Sequence, residues 1–116
     1  MTGNELLKRA AAILQESPGG YAGYAPEHIS LVLAETFEVN NRIRLSKGME
    51  ELPAIPALAS LDDAVPYEEE LAGLALPLGL ACRLYADADN NAMLSLYKQE
   101  YAFAVNAADR CVARFE

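Results

Sequence analysis

The sequence has no tryptophan, a single histidine and only two cysteines. His28 stands apart from any cluster of cysteines or carboxylates at ligand spacing, so the sequence predicts neither a metal site nor a histidine general base. A plain surface histidine is the expectation. Residues 19–23 are glycine-rich but lack the preceding strand and the Lys-Ser/Thr pair of a phosphate-binding loop. We therefore expect no cofactor and no enzymatic activity.

The two cysteines are predicted to be small core residues. Cys82 and Cys111 fall on different helices of a predicted hairpin, with an offset of roughly 20 Å along it at about 1.5 Å per residue, which is too far for a disulfide. Neither has a neighbouring His or Lys in the sequence that would lower its thiol pKa in the usual way. The alternative, a reactive thiol, has no such support.

Basic residues are scarce: nine Lys and Arg stand against seventeen Asp and Glu, for a net charge of −8. This balance argues against nucleic acid as the main partner, because phosphate binding needs a basic surface. Between Lys47 and Arg83 there is no basic residue at all, and seven acids fall there: Glu50, Glu51, Asp62, Asp63, Glu68, Glu69 and Glu70. We expect an acidic surface that attracts a partner with a basic face, with association slowing as salt rises. Solubility alone is the alternative.

No apolar run is long enough to cross a membrane. Residues 71–85 are apolar almost throughout, but Pro77 and Arg83 interrupt them, and a spanning helix needs about 18–20 unbroken apolar residues. The first residues, Met1 to Glu5, lack a basic-then-apolar signal region, so export is not expected. These features predict a cytoplasmic protein.

The apolar residues that are present recur at helical spacing and predict an all-α fold. We expect one domain, residues 1–116, long enough to bury a sizeable core. It would be a small bundle of four helices at about 3–16, 26–47, 64–87 and 89–115. The last two helices would form a C-terminal helical hairpin around an acidic turn near Asp89.

Local signals mark the ends and faces of these helices. Thr2 and Glu5 have the spacing of a capping box at the first helix, and Gly48 suits the residue that follows the second. A kink is expected at Pro77, which cannot donate a backbone hydrogen bond. The last helix carries one apolar stripe that predicts its packing face: Leu94, Tyr97, Tyr101, Ala104, Val105, Ala108, Cys111, Val112 and Phe115.

The stretch between the second and third helices, about 49–63, is predicted to be a long extended segment. Its apolar residues repeat every third position with prolines between them, a period typical of polyproline II: Leu52, Ile55, Leu58 and Leu61. One interpretation is a connection whose leucines lie on the helical core. The other is an arm that docks on a neighbouring subunit, since long connections in compact domains are often functional. Asn40 and Asn41 interrupt the stripe of the preceding helix, either weakening it or lying against a neighbour.

Carboxylates cluster beside this segment. Helix capping and solvation explain them, and a cation or partner site is the alternative. Together with the apolar residues of the segment they form the candidate subunit or partner interface: Leu52, Ile55, Leu58, Leu61, Asp62, Asp63, Glu68 and Glu69.

The second half of the chain resembles the small head–tail connector proteins of tailed phages and prophages. The resemblance lies in the run 61–70, the apolar helix 71–85, the acidic turn 87–91 and the helix through Tyr97 and Tyr101, and covers mostly residues 55–110. It implies a helical bundle with an extended middle segment, many copies of which form a ring beneath the portal. It further implies self-association, contact with a portal or tail protein, no catalysis, and a place in the virion or in the bacterial host cytoplasm. The N-terminal 48 residues are only loosely similar.

Three classes of function follow from these patterns. A virion structural subunit should bury the leucine–proline segment against a second copy. An acidic helical interaction module, such as a phage assembly chaperone or regulator, should fold the same segment back on its own core. An enzyme would need a cleft of carboxylates that the sequence does not reveal.

Overall fold

The all-α prediction is confirmed by a computed structural model, which describes residues 1–85 and 91–113. Four long helices account for most of this part of the chain. They are joined by a 3₁₀ turn at Pro18–Tyr21 and one short helix. The α-helices are α1 (Gly3–Leu14), α2 (Ala25–Ser46), α3 (Glu69–Ala72), α4 (Ala75–Tyr85) and α5 (Asn91–Ala113).

Helix α1 begins at the predicted cap and ends two residues earlier than predicted. The Thr2 hydroxyl oxygen accepts a hydrogen bond from the backbone N–H of Glu5 at 3.3 Å, which satisfies one free donor of the first turn. The helix ends because Gln15 adopts a left-handed backbone with φ of 58°. The N–H of Glu16 then bonds back to the carbonyl of Ala11 at 2.9 Å, as in other left-handed helix ends.

Helix α2 has the predicted bounds to within one residue and the predicted end. Pro26 lies in its first turn, where a missing N–H costs no hydrogen bond. Gly48 takes φ of 77°, and the N–H of Met49 bonds to the carbonyl of Arg44 at 2.9 Å. Glycine is the residue that adopts this left-handed turn without strain.

The prediction of one continuous third helix over residues 64–87 was wrong: the helix starts later, and the chain forms two helices. Residues 64–68 are not helical, and the chain forms α3 and α4 with a break at Gly73 and Leu74. Pro77 lies in the first turn of α4 and therefore starts a new helix where a kink in one long helix was expected. The predicted end at 87 and the turn near Asp89 lie outside the described residues.

Helix α2 packs alongside α4 and α5. On one side it meets the segment that joins it to α3, residues 47–68, called the connecting segment below. On another it meets α5, where Arg42 pairs with Asp109. Helices α4 and α5 pack as the predicted hairpin, with Tyr85 edge-on to Tyr97 at 5.4 Å between ring centroids. The most deeply buried large side chains are Leu6, Ile29, Val32, Leu33, Leu71, Leu76 and Leu80.

The first residues pair with the far end of the connecting segment. The N–H of Gly3 donates to the carbonyl of Asp63 at 3.0 Å, and the N–H of Val65 donates to the carbonyl of Met1 at 2.8 Å. Gly3 has no room for a side chain, since a Cβ there would lie 2.8 Å from Cδ2 of Leu58. The start of α1 is thus held against residues 58–65.

Candidate interaction surface

Two buried asparagines of α2 hold the two ends of the connecting segment. The side-chain oxygen of Asn41 accepts the N–H of Leu52 at 2.9 Å, and that of Asn40 accepts the N–H of Glu68 at 2.8 Å. Both asparagines are buried. Their side-chain oxygens replace the water molecules that would otherwise accept hydrogen bonds from these two backbone N–H groups. The sequence left open whether Asn40 and Asn41 weaken the helix or lie against a neighbour. The structure supports contact with a neighbouring segment, and α2 continues unbroken through both residues.

A third attachment, at Ser30, sets the path of the segment. Its hydroxyl oxygen accepts the N–H of Leu58 at 2.9 Å. Ser30 and Asn41 lie about 16 Å apart along α2 at 1.5 Å per residue. The six steps from Leu52 to Leu58 cover about 19 Å in a polyproline-II-like chain. The segment therefore runs back along α2 between these two attachments, and its polyproline-II-like form stays a prediction.

The four apolar residues of the predicted interface do not share one environment. Leu58 is buried, and Leu52 and Leu61 are partly buried against the core of their own chain. Ile55, midway between the Ser30 and Asn41 attachments, is 52% exposed. Three of the four thus follow the interpretation of leucines lying on the helical core. The interface role of all four stays a prediction.

The acids of the predicted interface make contacts within the chain. Asp62 accepts a hydrogen bond from the Asn4 amide at 2.9 Å. One oxygen of Asp63 accepts two backbone N–H groups, from Ala59 at 3.0 Å and Ser60 at 3.1 Å. These contacts close the bend at the end of the connecting segment, the usual role of aspartate in turns.

At the other end, Arg44 of α2 and Lys47, the first residue of the connecting segment, neutralise part of the acidic stretch. Glu68 lies 3.4 Å from Arg44 and 3.1 Å from Lys47, which also contacts Glu70 at 2.6 Å. The hydrogen bond from Lys47 lowers the pKa of Glu70, and the same bond raises the pKa of Lys47. Glu69 is exposed in the first turn of α3. The acidic stretch is therefore divided, with Asp62 and Asp63 near α1 and the glutamates near the end of α2.

The outer side of α2 carries exposed aliphatic residues that were not predicted from the sequence. Leu31 is 43% exposed and Leu45 is 53% exposed. At about 100° per residue, positions 31, 34 and 45 fall on one side of the helix, together with the exposed carboxylate of Glu38 between them. Ile55 is exposed on the connecting segment, between the attachments of that segment to Asn41 and Ser30 of α2. We call Leu31, Ala34, Leu45 and Ile55 the apolar strip.

A cleft opens where α2, α4 and α5 meet. Its volume is about 370 Å³, and its lining comprises Glu35, Gly79, Cys82, Arg83, Lys98 and Tyr101. Gly79 brings the helices together, because a Cβ there would lie 2.6 Å from Cε1 of Tyr101. Any larger residue would push the Tyr101 ring out of place.

The charges in the cleft are only partly paired. Arg83 donates from Nε and Nη2 to one oxygen of Glu35, at 3.0 and 2.5 Å. Lys98 has no acidic partner within the described ranges. Burial raises the pKa of the Cys82 thiol to about 11 and also raises the pKa of Tyr101. Both groups are therefore protonated at neutral pH. Cys82 is buried, as predicted for a core residue. The side chain of Cys111 lies outside the described residues.

His28 sits edge-on to the Tyr24 ring, 5.6 Å between centroids. Its Nδ1 is buried without a hydrogen-bond partner in the described part of the chain. No group of three or more His, Cys, Asp or Glu positioned to hold a metal occurs among residues 1–85 and 91–113. None of the helices described there has the length and apolarity needed to cross a lipid bilayer.

Comparison with known proteins adds no relative: no family model, no curated protein and no solved structure matches this chain.

Proposed function

We propose that the chain is a non-enzymatic structural subunit that associates with copies of itself, as a head–tail connector or adaptor that forms a ring at the portal of a phage or prophage particle. The observation that carries the proposal is the apolar strip. Contiguous exposed apolar surface is typical of protein–protein contact sites, and Leu31 and Leu45 leave large aliphatic side chains in water on one side of α2. In this proposal the strip is buried when subunits meet.

The acids around the strip support a specific contact with a charged rim. Glu50 and Glu51 are exposed at the start of the connecting segment, close to Leu45 in sequence. Apolar centres with polar rims are the usual form of association surfaces. A portal or tail protein with a basic face would approach this region faster at low salt.

A second candidate is an acidic helical interaction module, such as a phage assembly chaperone or regulator. The observation that favours it is the way Leu52, Leu58 and Leu61 pack against their own chain, which is what such a module requires. In that case the chain works as a monomer or dimer, and the strip receives a different protein.

Light scattering over a concentration series separates the two candidates. A structural subunit is expected to form defined oligomers larger than a dimer, and Leu45→Glu is expected to weaken them about tenfold or more by placing a charge in the buried contact. A chain that stays monomeric or dimeric at every concentration overturns the subunit proposal. The matched control is Leu96→Glu, a leucine on α5 that is 45% exposed and lies outside the strip.

A further inference from the structure

The connecting segment and the cleft lie on different sides of α2. The segment is attached through Ser30 and Asn41, whereas α2 contributes Glu35 to the cleft. At about 100° per residue, Glu35 lies roughly 140° from Ser30 and 120° from Asn41 around the helix axis. A protrusion on the segment and the cleft cannot meet within one chain, but they can meet between two.

Ile55 is the protrusion. It is 52% exposed while Leu52 and Leu58, three residues to either side, are held down by hydrogen bonds to α2. Glu50 and Glu51 precede it and are exposed, without a cation partner for their carboxylates in the described part of the chain. The segment thus presents one branched aliphatic side chain preceded by negative charge.

The cleft has the complementary character. Gly79 and Tyr101 pack closely at one wall of the cleft, and the pairing of Arg83 with Glu35 leaves Lys98 as the unpaired charge in the lining. A volume of about 370 Å³ accommodates an aliphatic side chain. Glu35 and Glu100 also act on Cys82 in this cleft, so the positive charge available to acidic neighbours of an incoming aliphatic residue is that of Lys98 alone.

We propose that Ile55 of one copy docks in the cleft of a second copy, with Glu50 and Glu51 directed toward its Lys98. The proposal rests on the self-association proposed above and names the two surfaces that meet. Because they are different surfaces on different sides of α2, the contact is head-to-tail, and a pair of copies retains one free cleft on one copy and one free Ile55 on the other. Repeated contacts of this kind generate a ring when the rotation closes and a filament when it does not.

The first test replaces one residue on each surface. Ile55→Glu places a charge in the cleft, and Lys98→Glu opposes the acids of the incoming segment. Each is expected to raise the dissociation constant of self-association at least about tenfold. Matched controls are Phe103→Glu, since Phe103 is 69% exposed and lies about 200° around α5 from Tyr101, and Lys8→Glu, an exposed lysine of α1. Both controls are expected to stay within about twofold.

The second test mixes the two defective variants. Ile55→Glu retains a working cleft, and Lys98→Glu retains a working Ile55, so an equimolar mixture has one productive contact. Sedimentation should detect heterodimers and nothing larger, while each variant alone remains monomeric. A mixture without heterodimers, or variants that associate like the controls, overturns the proposed contact.

Failure of this contact is distinguishable from failure of the proposed function. If the wild-type chain forms oligomers but Ile55→Glu and Lys98→Glu behave like the controls, self-association stands and the Ile55–cleft contact is wrong. If the wild-type chain never associates, both are wrong. Circular dichroism of each variant verifies that it has folded, as expected for substitutions at exposed residues.

Discussion

Gln15 and Gly48 follow the first two helices with the same left-handed backbone, yet only one of them is a glycine. A side chain in this conformation brings Cβ close to the following carbonyl oxygen and costs about 1–2 kcal/mol. Glycine has no Cβ and avoids this cost. Gln15, with φ of 58°, is therefore a position where the chain is less stable than it could be.

We expect Gln15→Gly to raise the free energy of unfolding by about 0.5–1 kcal/mol. Glycine relieves the backbone strain, but part of this gain is lost because glycine also makes the unfolded chain more flexible. Urea denaturation measures the change. Gly48→Ala is the reciprocal control and should destabilise the protein, since it introduces the same strain at φ of 77°. An unchanged or lowered midpoint for Gln15→Gly would show that the helix end tolerates glutamine without strain.

These two residues also show what local sequence can and cannot predict. Gly48 was predicted to end α2 because glycine is the residue that prefers this turn. Gln15 carries no such preference, and the end of α1 was predicted at residue 16 because the run Ser17-Pro-Gly-Gly begins at the next position. A left-handed glutamine is selected by the packing of the helix and its following turn, which the sequence alone does not encode locally.

Among the elements, the connecting segment depends most on side chains of another element. Its backbone bonds to Ser30, Asn40 and Asn41 of α2. The period-three pattern of leucines predicts an extended form from the segment alone, and that form stays a prediction. Its partners could not be deduced, since buried asparagines in a helix are equally compatible with several neighbours.

Hydrogen exchange tests these attachments one at a time. The N–H groups of Leu52 and Leu58 should exchange about two- to tenfold more slowly than that of Ile55, since each hydrogen bond contributes about 0.5–1.5 kcal/mol. Ser30→Ala should remove the protection of Leu58 and leave that of Leu52. Ser46→Ala is the control, because the Ser46 hydroxyl bonds to Ile43 within α2. Equal exchange at Leu52, Ile55 and Leu58 would mean that the segment is not held by α2.

The break between α3 and α4 was missed for a related reason. A continuous apolar run from 71 to 85 predicts one buried helix, and Pro77 fits either a kink or a first turn. Burial on all sides hides the helical period that would have located the break. The cleft was missed as well, because Glu35, Gly79 and Tyr101 come from three helices and meet only through tertiary packing.

For the molecule as a whole, buried ionisable groups predict loss of stability in alkali. Burial raises the pKa of the Tyr67 hydroxyl, which donates a hydrogen bond to the carbonyl of Leu33 at 2.5 Å, and raises that of Cys82 from 9.0 to about 11. In both cases the folded state retains the proton longer than the unfolded state. Their contribution is therefore complete below about pH 9 and is lost as pH rises through the folded values.

Urea midpoints measured between about pH 7 and 11 should accordingly fall above pH 9. Tyr67→Phe should lower stability at neutral pH by about 1 kcal/mol, because the Leu33 carbonyl loses its partner. The same variant should lose less stability than the wild type on going to high pH, because one ionisable group is gone. A parallel pH profile for the two proteins would exclude Tyr67 as a source of the alkaline instability.

Met1 and Gly3 form hydrogen bonds with Val65 and Asp63, so the start of α1 cannot complete its contacts until the ribosome has synthesised those later residues. The ribosome adds about 5–20 residues per second, so roughly sixty residues of further synthesis separate the first residue from its partner by about 3–12 seconds. During that interval Leu6 and Leu7, buried in the finished molecule, have neither α4 nor the connecting segment to cover them. The nascent first helix must therefore remain uncovered until the second half of the chain emerges, and a chaperone acting on this protein would meet its leucines first.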